Sequence, residues 1–130
     1  MLGAHTPVAN IATADLARAR AFYEGVLGFQ VAIEIASAGA VVYQGGSGHF
    51  VLYTSEFAGT NKATSMGFEM TRDEFDTEVA ALRDAGVSFL TFDGPGMSWE
   101  DDVAVMGEGR GAWFTDPDGN ILSITAGPMG

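Results

Sequence analysis

Cysteine is absent from this 130-residue chain, which excludes disulfides, thiolate metal sites and a cysteine nucleophile, and leaves the redox compartment open. Basic residues are scarce: six Lys and Arg stand against 17 Asp and Glu, a formal charge of -11. A surface of that sign repels phosphate backbones and anionic lipid, so nucleic acid and acidic membranes are poor partners. It suits neutral or cationic ligands, and solubility alone also accounts for it. Histidine occurs only at His5 and His49. No apolar run approaches the ~20 residues that cross a bilayer. Residues 1–15 lack the basic-then-apolar order of a secretory leader, so a cytoplasmic protein is expected. The sequence has no His-Glu-x-x-His, no Gly-x-Ser-x-Gly and no Gly-x-x-x-x-Gly-Lys. Gly107, Gly109 and Gly111 alternate without matching a dinucleotide fingerprint, and read as a mobile turn.

What is present is the material of a packed core. Hydrophobic residues make up 47% of the chain, with nine Phe, two Trp and three Tyr, which is too apolar for disorder. Eighteen glycines suit short strands joined by tight turns. The length favours one domain spanning residues 1–130.

Hydrophobic periodicity divides the chain into two similar halves. Val8–Thr13 has strand character, and Asp15 is placed to cap a helix over Leu16–Leu27. Leu16, Ala19, Phe22, Tyr23, Val26 and Leu27 share one face of that helix, and Gly28 ends it. Strands are expected at Phe29–Ser37, Ala40–Gln44 and His49–Thr54. The order then recurs. Thr64–Met70 reads as a strand, Thr71-Arg72-Asp73-Glu74 as a capping box, and Phe75, Val79 and Leu82 as the stripe of a second helix ended by Gly86. Strands are expected at Ser88–Phe92, Val103–Met106, Ala112–Thr115 and Ile121–Thr125, with a Pro-containing turn at Asp116–Gly119. The fold class is therefore α+β. Two βαβββ repeats, about 5–58 and 59–130, would form a curved mixed sheet with helices on its convex side and a concave pocket.

Local sequence adds a family to this pattern. Asn10-Ile11-Ala12-Thr13-Ala14-Asp15-Leu16 runs on to Phe22-Tyr23 and then Val26-Leu27-Gly28-Phe29. This resembles the opening strand and helix of the vicinal-oxygen-chelate (glyoxalase/bleomycin-resistance/dioxygenase) superfamily. Trp113-Phe114-Thr115-Asp116-Pro117-Asp118-Gly119-Asn120-Ile121-Leu122 is similar to that family's closing hairpin. Ala58–Thr64 and Ala81–Val87 resemble its second-half entry and helix end, so the likeness covers essentially the whole chain.

The resemblance also implies where a metal would sit. Metal-dependent relatives use His, Glu or Gln at four strand positions, two from each half, because such an ion needs nitrogen and carboxylate donors. Carried over, those positions are Val8, Leu52 (to within a residue), Ser65 and Ser123. None is a strong ligand. The resemblance thus points to a metal-free branch without cofactor, and it disfavours glyoxalase, extradiol dioxygenase and metal-dependent epimerase or thiol-transferase chemistry.

Strand alternation supplies candidates for the pocket. Val8, Asn10 and Ala12 should point inward, as should Phe50, Leu52 and Thr54, then Ser65, Gly67 and Glu69, then Ile121, Ser123 and Thr125. Trp99 falls in the loop-rich stretch 94–102, and an indole there often waits for a ligand. Trp113 borders the last hairpin, with its face undetermined. The ligand-binding set is Asn10, Phe50, Leu52, Ser65, Glu69, Trp99, Trp113 and Ser123. The favoured function is metal-independent binding of an aromatic or apolar small molecule, similar to the family's drug-sequestering resistance proteins and, as in them, by a homodimer. The alternative is a metal-independent isomerase or lyase with Glu69 as general base, raised in pKa by an apolar pocket.

Overall fold

The computed structural model describes residues 1–127. Its elements are β1 (Ala9–Thr13), α1 (Leu16–Arg20), β2 (Gln30–Ile35), β3 (Ala40–Gly45), β4 (Gly48–Thr54), β5 (Thr64–Met70), α2 (Arg72–Asp84), β6 (Phe89–Leu90), β7 (Ser98–Glu100), β8 (Val103–Met106), β9 (Gly109–Thr115) and β10 (Ile121–Ala126). The expected α+β class and its duplication are both present. The first sheet has the order β1-β4-β3-β2, and the second contains the same path as β5-β10-β9-β8, with β7 added at its edge and β6 paired to β9. In each, the opening strand pairs in parallel with the closing one, β1 with β4 and β5 with β10, and the other pairings are antiparallel. No helix among the described residues is long and apolar enough to cross a membrane.

The described residues form two compact units: residues 1–60 with Pro117–Gly119, and residues 61–116 with 120–127. In the first unit the Asp15 carboxylate accepts from the Arg18 backbone N–H and starts α1. The helix widens to a π-helical turn over Ala21–Val26, then stops at Gly28, whose φ of 79° suits glycine. The turn brings Tyr23 over the sheet, where its ring lies 5.9 Å from Tyr43 and 5.7 Å from Phe50. Ile11, Val41 and Leu52 complete this buried layer. One polar thread crosses it. The Tyr43 hydroxyl donates to Glu24 Oε2 (2.9 Å), and Glu24 and Glu34 both pair with Arg20, at 2.7 and 2.9 Å.

That layer corrects one expectation. Phe50 and Leu52 are not pocket residues; they face the helix and are 4% and 0% exposed. Parallel pairing sets Leu52 beside Ile11, and Val51 and Tyr53 beside Asn10 and Ala12. Cross-strand partners share a face, so the face opposite the helix carries Asn10, Ala12, Val51 and Tyr53. The family position at Leu52 therefore fell one residue out of phase, which reverses the side.

In the second unit the capping box is complete: the Thr71 hydroxyl accepts from Glu74 N–H, and the Glu74 carboxylate from Thr71 N–H. Phe75, Val79 and Leu82 are buried from α2, and β10 and β9 contribute buried Leu122, Ile124, Phe114 and Ala112. Each large apolar side chain so buried contributes about 1.5–3 kcal/mol, so this stripe rather than helix propensity holds α2 in place. The segment expected to be a loop contains strand β7, and Gly109 and Gly111 belong to β9 instead of a mobile turn. The expected strand at 88–92 contracts to Phe89–Leu90. The Asp116 turn closes on itself: Asn120 donates its backbone N–H and side-chain amide to the Asp116 carboxylate at 2.9 and 2.8 Å.

Candidate small-molecule site

The second sheet has one face covered by α2 and one without a helix, and register assigns every side chain to one of them. Phe114, Ala112 and Leu122 lie on the helix side. Alternation then turns Trp113 and Gly111 to the other side, where Ser123 and Thr125 are their cross-strand partners. Gly111 pairs with Ala104, and Ala104 with Trp99. Glu69 pairs with Thr125, and Gly67 with Ser123. Two adjacent rows thus cross the helix-free face: Glu69–Thr125–Gly111–Ala104–Trp99, and Gly67–Ser123–Trp113–Leu90. The face of Trp113, undetermined from sequence, is the one it shares with Ser123.

Small residues between the indoles leave room for the rings to lie down on the sheet. A Cβ at Gly111 would stand 2.8 Å from Cη2 of Trp113, so the indole lies directly over that glycine. The Trp113 Nε1–H donates to the Thr64 hydroxyl at 3.2 Å, which fixes the ring's rotation. Trp99 comes to 6.1 Å from Trp113 at 60° between planes, and Phe92 stands edge-on to both, at 5.4 Å from Trp99 and 4.9 Å from Trp113. Both indoles stay half-buried, and Phe92 is 44% exposed. This is an aromatic cluster turned to solvent, where a packed core would have closed it.

Cavities open beside it. One of about 410 Å³ is lined by Lys62, Ala63, Thr64, Phe92, Trp113 and Ile121. Another of about 390 Å³ is lined by Thr91, Phe92, Asp93 and Trp99. Of the sequence candidates, Trp99, Trp113 and Ser123 come together here, and Ser65 lies at the irregularity where β5 loses step with β10. Glu69 shares the face, but it is exposed, so the enclosing apolar pocket expected around it is absent. Asn10 is exposed on the helix-free face of the first sheet, while Phe50 and Leu52 are core. Phe92 was missed. Its signal was an aromatic directly before Asp93-Gly94-Pro95-Gly96, a stretch with no apolar partner in sequence.

A duplicated βαβββ architecture in which each half pairs its opening strand in parallel with its closing one is of the vicinal-oxygen-chelate type. The chain belongs to the glyoxalase/bleomycin resistance protein/dioxygenase superfamily, whose family model matches residues 5–124. No curated protein matches it. Among solved structures it is similar to an integron cassette protein from the mobile metagenome of the Halifax Harbour sewage outfall. That match has 22% identity over 94% of this chain and 99% of the other, at a TM-score of 0.68. The fosfomycin resistance protein FosX of Listeria monocytogenes superposes at a TM-score of 0.73, with 15% identity over 95% and 92% of the two chains. A glyoxalase/bleomycin resistance protein/dioxygenase from Nocardioides gives 0.65, with 18% identity over 97% and 91%. At these identities the likeness is one of fold.

The Listeria protein has been seen in complex with Mn(II) and sulfate. The residues of this chain do not fit such an ion. Val8, Ser65 and Ser123 offer neither imidazole nor carboxylate, and on β4 neither Leu52 nor its outward-facing neighbours Val51 and Tyr53 does. Among the described residues no group of three His, Cys, Asp or Glu is placed to hold a metal.

Proposed function

We propose that this protein binds an aromatic or apolar small molecule without a metal and sequesters it unchanged, in the manner of an antibiotic-binding resistance protein. The observation that carries the reading is the solvent-facing Phe92–Trp99–Trp113 cluster, whose rings line two cavities. Aromatic faces supply large contact area at low entropic cost, so stacking binds flat ligands without any reacting group. The exposed Thr64 hydroxyl beside Trp113 can orient a polar edge of the ligand. The charge of -11 favours neutral or cationic ligands over anionic ones. Binding is favoured over the Glu69 base because Glu69 is exposed on the sheet and no apolar pocket encloses it.

The working unit is a homodimer. Support comes from Ile33, Ile35 and Tyr53, which are 56%, 39% and 38% exposed on the first sheet, an apolar area that a second copy would cover.

The test is a tryptophan-fluorescence titration with planar aromatic antibiotics, with the drug recovered and weighed by mass spectrometry. Saturable quenching with unchanged drug is expected. Removal of an anchoring ring, Trp99→Ala or Trp113→Ala, should weaken binding by about 30-fold or more. Conversion of the drug, or activity that requires one bound transition metal per chain, would return the protein to the enzymes. Native mass spectrometry of the same sample reads the dimer, and a monomer at micromolar concentration would remove that part.

A further inference from the structure

We infer that Arg83, which lies on the far side of the sheet from the aromatic cluster, is a positioning residue that sets the cluster's geometry by bracing the two segments carrying Phe92 and Trp99. The inference deepens the binding reading above and rests on it for its functional meaning.

The case begins at the turn between β7 and β8. Among the described residues, Asp101 and Asp102 are the non-glycine positions with positive φ, at 49° and 67°. Two successive left-handed residues in a two-residue hairpin are the primed turn that Asn-Gly forms readily, because glycine has no Cβ to clash. Asp suits the first of these positions, but at the second Asp102 stands where glycine is preferred, so the pair holds this turn less well than Asp-Gly would. The turn has outside help: Arg83, in the last turn of α2, donates from Nη2 to the Asp101 carbonyl oxygen. Trp99 stands two residues before that carbonyl. Alternation along β7 sends Glu100 to the helix side, where it lines a cavity with Arg83, and Trp99 to the other side.

The same guanidinium holds the second segment. Its Cζ lies 5.5 Å from the centroid of the Phe89 ring, a cation–π contact. Phe89 begins β6, three residues before Phe92. One cation therefore grips the strand that leads to Phe92 and the hairpin that presents Trp99. The 6.1 Å spacing of Trp99 from Trp113, and the edge-on placing of Phe92 against both, follow from backbone that Arg83 holds.

The test reads the spacing directly. Two indoles this close couple their transitions and give an exciton couplet in circular dichroism, which Trp99→Phe assigns by abolishing it. Arg83→Met should largely remove the couplet and weaken binding of ethidium, a planar probe, by about tenfold, the loss of one charged hydrogen bond. Arg83→Lys keeps the charge near Phe89 but loses the fork, and should fall between. A background with Asp101→Asn and Asp102→Gly makes the turn self-sufficient, so there Arg83→Met should leave most of the couplet standing. That rescue is something a merely structural arginine would not give. An unaltered couplet in Arg83→Met, or equal loss in both backgrounds, overturns the inference. Should Arg83→Met fail to fold, the comparison of Arg83→Lys across the two backgrounds decides in the same way. The couplet is read without ligand, so absent ethidium binding by the wild type would count against the binding reading and leave the bracing to be judged on the spectrum.

Discussion

Gly111 offers a way to disturb the aromatic site without replacing any side chain that could contact a ligand. A methyl group there would stand 2.8 Å from Cη2 and 3.0 Å from Cζ3 of Trp113, and 3.4 Å from the Met106 methyl. Carbon atoms rest at about 3.5–4.0 Å, so the indole must lift by roughly 1 Å. The residue on the other side of the contact is a rigid bicycle whose Nε1 is tied to Thr64 at 3.2 Å, already toward the long end for such a bond. Lifting breaks it, at about 1 kcal/mol. Overpacking adds about 1–3 kcal/mol, and the edge contacts with Phe92 and Trp99 loosen as well. The expected cost of Gly111→Ala is therefore about 2–4 kcal/mol, a fall in thermal midpoint of roughly 5–15 °C for a chain of this size. Melting followed by far-ultraviolet circular dichroism gives the first number. The emission maximum of tryptophan, shifting red as the ring meets more water, gives the second. Gly25→Ala is the control, because nothing lies within 4 Å of its methyl position and it sits in helical backbone. That change should be neutral or stabilising by up to about 1 kcal/mol. A midpoint and an emission spectrum in Gly111→Ala matching the wild type would refute the placement of the indole over the strand.

Three further outcomes follow from the remaining contacts. Hydrogen bonding from Arg20 holds Glu24 below the usual carboxylate range. Its stabilising share is full above the unfolded value near pH 4.5 and is lost as pH falls through the lowered folded value; a Glu24→Gln variant should flatten the acid limb of a stability–pH curve. Burial, with Glu24 as acceptor, raises the Tyr43 phenol above its ordinary 10.0, so its share is full below pH 10 and is lost as pH rises beyond it; Tyr43→Phe should cost about 1 kcal/mol at neutral pH and blunt the alkaline limb. Thr71→Ala removes the hydroxyl half of the α2 capping box and should cost about 1 kcal/mol in denaturant melts, with binding unchanged because the cap lies on the helix side.

Much of this architecture was legible because single residues announce it. Asp15 and Thr71 are caps with one competent partner each, and Gly28 and Gly86 adopt φ values of 79° and 87° that other residues resist. Repetition of that grammar revealed the duplication before any family likeness. The side of β4 was not legible, since both Phe50–Leu52 and Val51–Tyr53 read as apolar and a strand of alternating large apolar residues fits either way round. The arbiter lay elsewhere in the chain: Tyr23, swung over the sheet by the π-helical turn, needs flat neighbours, and Tyr43 and Phe50 are those. Trp99 reads from sequence as a loop residue and lies instead in β7, because Asp101 and Asp102 do not look like a hairpin turn and no local rule foretells that Arg83 will hold one.

The glycines of β9 show why the site in particular escaped a reading by composition. Gly107, Gly109 and Gly111 resemble a flexible turn when each is judged by its own conformational freedom. Of the three, Gly107 alone has positive φ; Gly109 and Gly111 are buried in the strand with ordinary extended pairing. Their purpose is steric. A strand that must lay an indole flat on its own face cannot carry a side chain two residues away on that face, and in Gly111-Ala112-Trp113 the position under the ring is the glycine. Ala104, the cross-strand partner of both Gly111 and Trp99, adds little bulk to the same row, and Gly67 lies against the Ser123 hydroxyl, which a Cβ there would meet at 2.7 Å. A tryptophan two residues after a glycine in a strand, with a small cross-strand neighbour, thus describes a ring lying along a sheet with its outer face free. That arrangement costs packing on one side, and a sheet recovers the loss when another flat surface settles on it.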